Sequence, residues 1–200
     1  DLTKNIPSIP LADRVRPESL SEFYGQDHLV GQDKPIRLMI ENKSISPFIM
    51  WGPPGTGKTT LAQIIAAETD SKFYQISAVS AGVKEIRNII QIAEHNKNLD
   101  LRTILFIDEI HRFNKAQQDA FLPHVENGTI IFIGATTENP SFEVIAPLLS
   151  RCRVLVIKPL DEQALSQVLD TAVKHVGIRI DENARSALIQ FSNGDARTLL

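Results

Sequence analysis

Eight consecutive residues, Gly52-Pro53-Pro54-Gly55-Thr56-Gly57-Lys58-Thr59, have the types and spacing of a loop that wraps phosphate. Glycines let the backbone curl so that successive N–H groups face inward toward phosphate oxygens. Lys58 supplies a point charge for the β- and γ-phosphates, and Thr59 a hydroxyl for Mg2+. A helix opening at Thr59 adds the positive end of its dipole. A second chemical group is Asp108-Glu109. Asp108 is suited to hold Mg2+ through water, and Glu109 to orient or deprotonate an attacking water. Each motif has a plainer alternative: a Gly/Pro surface turn for the first, a solvated acidic pair for the second. Their co-occurrence favours a site for a nucleoside triphosphate and Mg2+. The Glu directly after the Asp favours hydrolysis over transfer to another substrate.

The elements that must position these residues follow from hydrophobic periodicity. Phe48–Trp51, Lys72–Ser77, Thr103–Ile107, Thr129–Gly134 and Val154–Ile157 read as strands, and most are continuously apolar. Continuous apolar runs indicate strands covered on both faces, as in a parallel sheet. Helical spacing is predicted for Pro35 to Asn42, Thr59 to Glu68, Gly82 to Asn96 and Lys115 to Glu126. Residues 1–33 are turn-rich and read as irregular. Strands alternating with helices predict a doubly wound α/β fold with a five-stranded parallel sheet sandwiched by helices and ligands at the strands' C-terminal ends. After Pro159 the pattern becomes purely helical: Asp161 to Val176, Asp181 to Phe191, and a further helix opened by Asp195. The expected division is an α/β domain over 1–158 and the start of a small helical domain over 159–200.

Composition narrows the classes. The chain has 200 residues, a net charge of −3, 42% hydrophobic and 22% charged residues, which is ordinary for a globular protein. No apolar run approaches the roughly 20 residues needed to cross a bilayer, and no secretory signal is visible. The single cysteine, Cys152, excludes an intrachain disulfide and a cysteine-based zinc site within the chain, and fits a reducing compartment. The five histidines show no metal spacing, and each reads as structural or solvent-facing. The chain does not begin with Met, and Arg197-Thr198-Leu199-Leu200 reads as a helix interrupted mid-course. A longer natural protein is therefore expected.

Gly52 to Thr60, with Ile107-Asp108-Glu109-Ile110-His111, resembles the AAA+ class of P-loop NTPases. Leu149-Ser150-Arg151-Cys152 is similar to the clamp-loader clade. The longer runs from Asp108 to Asp119 and from Gly134 to Phe142 resemble the replication-associated recombination protein A family. That resemblance implies an ATP hydrolase with ATP and Mg2+ as ligands. It places Gly52, Pro53, Pro54, Gly55, Thr56, Gly57, Lys58, Thr59 and Thr60 on the nucleotide, and Thr59 and Asp108 on the metal. It implies that Val15, Arg16, Pro17 and Tyr24 line the adenine pocket, since Pro10 to Pro17 and Tyr24-Gly25-Gln26 are similar to the segment covering the base. It implies a polar sensor at Thr137 and an arginine finger at Arg151 that reaches a neighbouring subunit. Arg197 would be a second sensor on the helical lid. The plainer alternative for Thr137 is a loop cap, which its strand-end placement disfavours; considered alone, Arg151 reads as a surface arginine and Arg197 as a helix-start arginine with no special role.

The resemblance also implies a homo-oligomer acting on single-stranded, forked or gapped DNA in fork maintenance, recombination and repair. It implies a bacterial, cytoplasmic, nucleoid-associated setting, with single-strand-binding protein and other replication proteins as partners. The mildly acidic balance offers no global footprint for nucleic acid. Lys84 and Arg87, in the first turns of their helix, are the candidate DNA contacts, with a solvated helix face as the equal alternative. Other readings remain: a clamp-loader subunit, a branch-migration motor, or a scaffold that binds ATP without much hydrolysis. The first must do without the four-cysteine zinc module found in several bacterial clamp-loader subunits. Intact Lys58, Asp108, Glu109 and Thr137 oppose the last.

Overall fold

The computed structural model describes residues 9–200. Pro7, counted in the turn-rich N-terminal stretch, lies outside them. The first elements are α1 (Leu11–Arg14), a 3-10 turn (Leu20–Glu22), α2 (Asp27–Val30) and α3 (Pro35–Glu41). The alternating region follows: β1 (Phe48–Trp51), α4 (Lys58–Glu68), β2 (Lys72–Ser77), α5 (Val83–Asn98) and β3 (Thr103–Asp108). A 3-10 turn (Ile110–Arg112) leads to α6 (Lys115–Glu126), β4 (Ile131–Thr136), α7 (Pro140–Glu143), α8 (Ala146–Leu149) and β5 (Arg153–Val156). Three helices close the chain: α9 (Glu162–Val176), α10 (Glu182–Ser192) and α11 (Ala196–Leu199).

The five strands form one sheet in the order β2-β3-β4-β1-β5, and every pairing is parallel. Strand periodicity explains why the central strands are apolar throughout. Ile104 and Phe106 of β3 enter one core, with Phe48 and Met50 of β1 and the α4 residues Leu61, Ile64 and Ile65. Leu105 and Ile107 enter the opposite core with Ile49, Ile86 and Ile90 of α5, and Phe121 of α6. Residues at i and i+2 share a face, so only a strand with helices on both sides needs apolar residues at every position. The sheet thus carries Gly52 and Asp108 to the same edge, at the C-terminal ends of β1 and β3.

Two expectations are corrected. Residues 9–33 are not irregular: short helices there bury Leu20, Phe23, Leu29 and Val30 in the first core. Helices of three or four residues are too short for a periodicity to show. The fourth strand does not span Thr129–Gly134 but Ile131–Thr136. Thr129 and Ile130 are held in the turn after α6, where their N–H groups donate to Asn127 Oδ1 and the His124 carbonyl. Gly134, read as a strand end, lies within the strand, where a Cβ would approach the Phe132 ring to 2.8 Å. Glycine there serves packing, and the strand runs on to pair Thr136 with Trp51.

The closing helices pack on a third cluster around Leu160, Leu165, Leu169 and Leu199. Their starts are set by side-chain caps: Asp161, Asp181 and Asp195 each accept from backbone N–H groups in the first turn. Gly177, at φ 75°, ends α9 in the left-handed conformation that glycine tolerates.

Candidate nucleotide site

The phosphate loop leaves β1 at Gly52, whose N–H donates to the Thr136 carbonyl at 3.1 Å. This bond fixes the loop to the end of β4. Thr56 Oγ1 closes the turn by donating to the Pro53 carbonyl at 2.8 Å. Gly57 stands at φ 93° and its absent Cβ would strike the Phe23 ring at 2.8 Å. Conformation and space therefore both demand glycine at 57. Helix α4 starts at once on Lys58, and no side chain caps its N-terminus. Its first N–H groups point into the loop, available to an anion.

Lys58 is buried: its relative exposure is 8%. Its ammonium donates to the carbonyls of Gly52 at 2.8 Å and Pro53 at 2.6 Å. Burial pushes its pKa below the ordinary lysine value, against the pull of Asp108, Glu109 and Asp195, while Arg197 adds to the lowering. A desolvated ammonium beside a second cation is an unfavourable arrangement that phosphate charge would relieve. That is the fit expected of a triphosphate site.

Asp108 closes β3, and its Oδ1 accepts from the Glu109 N–H at 3.1 Å. Glu109 is left-handed at φ 57°, which turns its side chain out of the strand direction. Among the described residues, no group of three or more His, Cys, Asp and Glu side chains could cage a metal. The donors present, the Asp108 carboxylate and the half-buried Thr59 hydroxyl, suit Mg2+, which keeps most of its waters and takes substrate phosphate oxygens.

One cavity of about 370 Å³ unites these parts. Its walls include Pro54 to Thr60, Asp108, Glu109 and Arg197, and also Val15, Arg16, Pro17 and Tyr24. The nucleotide residues named from sequence are therefore neighbours in space, save that Gly52 and Pro53 contribute carbonyls to Lys58 behind the wall. Arg16 is locked by donating to Thr60 Oγ1 at 3.0 Å and pairing with Asp13. Thr137 directly follows β4, is half-buried and is not part of the cavity wall. Arg151 and the pair Lys84 and Arg87 lie outside the cavity, and all three are exposed. Cys152 is half-buried, and burial pushes its thiol up to about 12, so it is chemically quiet.

Sequence reasoning missed how the last helices meet the loop. The Ala196 N–H donates to the Gly55 carbonyl at 2.9 Å, and a Cβ on Gly55 would collide with the Asp195 carboxylate. In the sequence Asp195 is legible only as a helix cap. Gln26 is silent there too, yet its amide clamps Lys158, donating to its carbonyl at 2.7 Å and accepting from its N–H at 3.0 Å. No local pattern flags a contact across 132 positions. Gly55→Ala is expected to cost about 1–2 kcal/mol from the left-handed conformation alone, since φ here is 66°, and more from displacing Asp195. A stability loss confined to about 1–2 kcal/mol would show that the Asp195 contact yields freely.

The family profile described as "ATPase family associated with various cellular activities (AAA)" matches residues 48–160. That span holds the phosphate loop, Asp108, Glu109, Thr137 and Arg151. The chain belongs to the AAA ATPase family. Its relatives include "Replication-associated recombination protein A" of Haemophilus influenzae, 53% identical over 96% of this chain and 44% of that protein. The protein of the same name from Escherichia coli K12 is 52% identical over the same shares. The chain thus spans less than half the length of these relatives. Among solved structures, the Holliday junction branch migration motor RuvB of Thermotoga maritima superposes with a TM-score of 0.77 at 29% identity, covering 92% of this chain and 62% of that one. The AAA domain here therefore has the P-loop NTPase fold and binds nucleotide. Among the described residues, no helix is long and apolar enough to cross a membrane.

Proposed function

We propose that this AAA domain hydrolyses ATP with Mg2+ and drives a DNA-dependent ATPase of replication-fork maintenance, recombination and repair. The observation that carries the hydrolytic half is the single cavity in which Lys58, Asp108, Glu109 and Arg197 converge. Lys58 and the free N–H groups of α4 bind the phosphates, and Val15, Arg16, Pro17 and Tyr24 enclose the base. Mg2+, held by Thr59 and Asp108, would offset charge on the transferring phosphate. Glu109 takes the proton of the attacking water, and Thr137 orients that water or the γ-phosphate. Residues 159–200 form the start of a lid whose Arg197 reads the γ-phosphate and whose Ala196 and Asp195 rest on Gly55. Closure of the lid is thereby tied to nucleotide state. Arg151 acts on the nucleotide of a neighbouring copy.

The replication half rests on identity of 52–53% to the two recombination proteins. Its setting would be cytoplasmic and nucleoid-associated, in a homo-oligomer with single-strand-binding protein among its partners. The decisive experiment is the ATPase rate of the full-length protein with single-stranded, duplex, gapped and forked DNA. Stimulation by forked or gapped DNA is expected, and a rate indifferent to all four would refute DNA dependence. Likeness to the branch-migration motor favours a second reading. Preferential stimulation by four-way junctions would select it.

Lys84 and Arg87 lie in the first turns of α5 and both are exposed, so ammonium and guanidinium can each reach a DNA backbone. Reversing both charges is expected to weaken DNA stimulation more at low salt than at high salt, because phosphate contacts release counterions. Unchanged stimulation would remove these two residues from the DNA surface.

A further inference from the structure

His111 is the buried titratable side chain that the mechanism above leaves without a task. Its side chain is only 8% exposed, although it lies three positions after Asp108. Both ring nitrogens are engaged. Nε2 stands 3.1 Å from Glu109 Oε2, and Nδ1 2.9 Å from Thr136 Oγ1. Donor and acceptor chemistry orders this chain. An ionised carboxylate only accepts, so Nε2 carries a proton and donates to Glu109. In the neutral imidazole Nδ1 is then an acceptor for the Thr136 hydroxyl, whose other acceptor within reach is the Glu138 carbonyl at 3.2 Å. The same hydroxyl oxygen accepts the Glu138 N–H at 2.9 Å. The result is one connected path through Glu138, Thr136, His111 and Glu109. It starts one residue beyond Thr137 and ends on the carboxylate that meets the water.

We infer that His111 is a positioning residue that fixes the Glu109 carboxylate by one oxygen and ties its orientation to the end of β4. The inference rests on the proposed role of Glu109 in hydrolysis. Glu109 needs such a restraint. Its backbone is left-handed, its side chain is about one-third exposed, and no other described side chain bonds its carboxylate. An unrestrained glutamate would spread over several rotamers, and misplacement by about 1 Å costs on the order of 100-fold in rate. Bonding through Oε2 leaves Oε1 free for water. Because Thr136 also holds the Glu138 N–H, any shift of residues 137–138 on meeting the γ-phosphate reaches Glu109 through two side chains. Buried polar chains of this kind act as units, so removing one link releases the rest.

The test measures kcat, the KM for ATP and thermal stability in the full-length protein for His111→Phe, His111→Gln, Thr136→Val and Glu109→Gln. His111→Phe keeps the ring volume and loses both bonds. It should lower kcat about 10- to 100-fold with KM within about two-fold. Gln offers an amide donor toward Glu109 and an oxygen toward Thr136, so His111→Gln should recover most of that loss, which a purely space-filling role would not allow. Thr136→Val breaks the same path at its other link and should lower kcat in the same direction. It serves in place of His111→Phe if that variant does not fold. Added to Glu109→Gln, His111→Phe should lower kcat no further. An active Glu109→Gln enzyme would sink the role of Glu109 itself. An inactive Glu109→Gln enzyme beside His111→Phe and Thr136→Val variants with wild-type kcat would overturn the inference alone, as would equal losses in the Phe and Gln variants.

Discussion

Glu109→Gln should bind ATP as the unaltered protein does while its turnover falls by about two to four decades, the usual worth of a positioned base. The substitution keeps the shape and removes only the capacity to take a proton. Several contacts make the variant a clean probe. Glu109 is not a link in the loop: Lys58 is held by the Gly52 and Pro53 carbonyls, and the N-terminus of α4 carries no side-chain cap that involves Glu109. An amide oxygen can still accept from His111, so the side chain need not leave its place. Loss of the negative charge also removes one of three carboxylates that raise the Lys58 pKa, which shifts the ammonium further in the direction that burial already drives it. Phosphate binding opposes that shift, so affinity should be held or slightly increased. Two to four decades correspond to about 3–5 kcal/mol of transition-state stabilisation. Phosphate release under saturating ATP and binding of a fluorescent nucleotide separate the two effects. Turnover within about tenfold of wild type would assign the base elsewhere.

The parts of this site that are legible in the sequence are those whose chemistry is local. A curled anion-binding loop needs glycine at fixed offsets, and a lysine and a threonine must follow at once because one turn of helix places them. Lys58 and Thr59 can thus be named before any fold is known. Asp108 and Glu109 are legible because a wholly apolar strand that stops abruptly on two carboxylates sets them at the ligand-binding edge of a buried sheet. The caps Asp161, Asp181 and Asp195 show themselves through equally local chemistry. What stays hidden is long-range. Gln26 bonds Lys158, Ala196 bonds Gly55, and His111 links Glu109 to Thr136. Each joins residues whose own neighbours give no sign of the partner. The end of β4 is misplaced in the sequence reading because Gly134 has two meanings, a stop or a close approach, and only the Phe132 ring decides between them. Val15, Arg16, Pro17 and Tyr24 are reached through resemblance alone, since a pocket wall assembled from short helices and turns leaves no periodicity to find.

Arg151→Ala should abolish most hydrolysis and be partly rescued by mixing with Glu109→Gln subunits. Arg151 follows α8 at the entrance to β5, and its side chain is 42% exposed. It pairs with Glu126 at 2.5 Å and donates to the Pro147 carbonyl at 2.7 Å, while the cavity of its own subunit is lined without it. An exposed ion pair is worth about 0–1 kcal/mol, so the guanidinium can leave Glu126 for a phosphate at little cost. A planar, permanently charged fork is suited to that exchange. Arginine fingers contribute about three to five decades in rate, which sets the expected loss. The mixing result separates action across an interface from action within a subunit. An Arg151→Ala subunit keeps Glu109, and a Glu109→Gln subunit keeps Arg151. Where the second presents its arginine to the first, a complete site forms. In a head-to-tail ring assembled at random from equal amounts, about a quarter of interfaces meet that condition. Activity should therefore peak near equal mixing and vanish at either end. A flat baseline at every ratio, from subunits shown to co-assemble, would place Arg151 outside the neighbouring site.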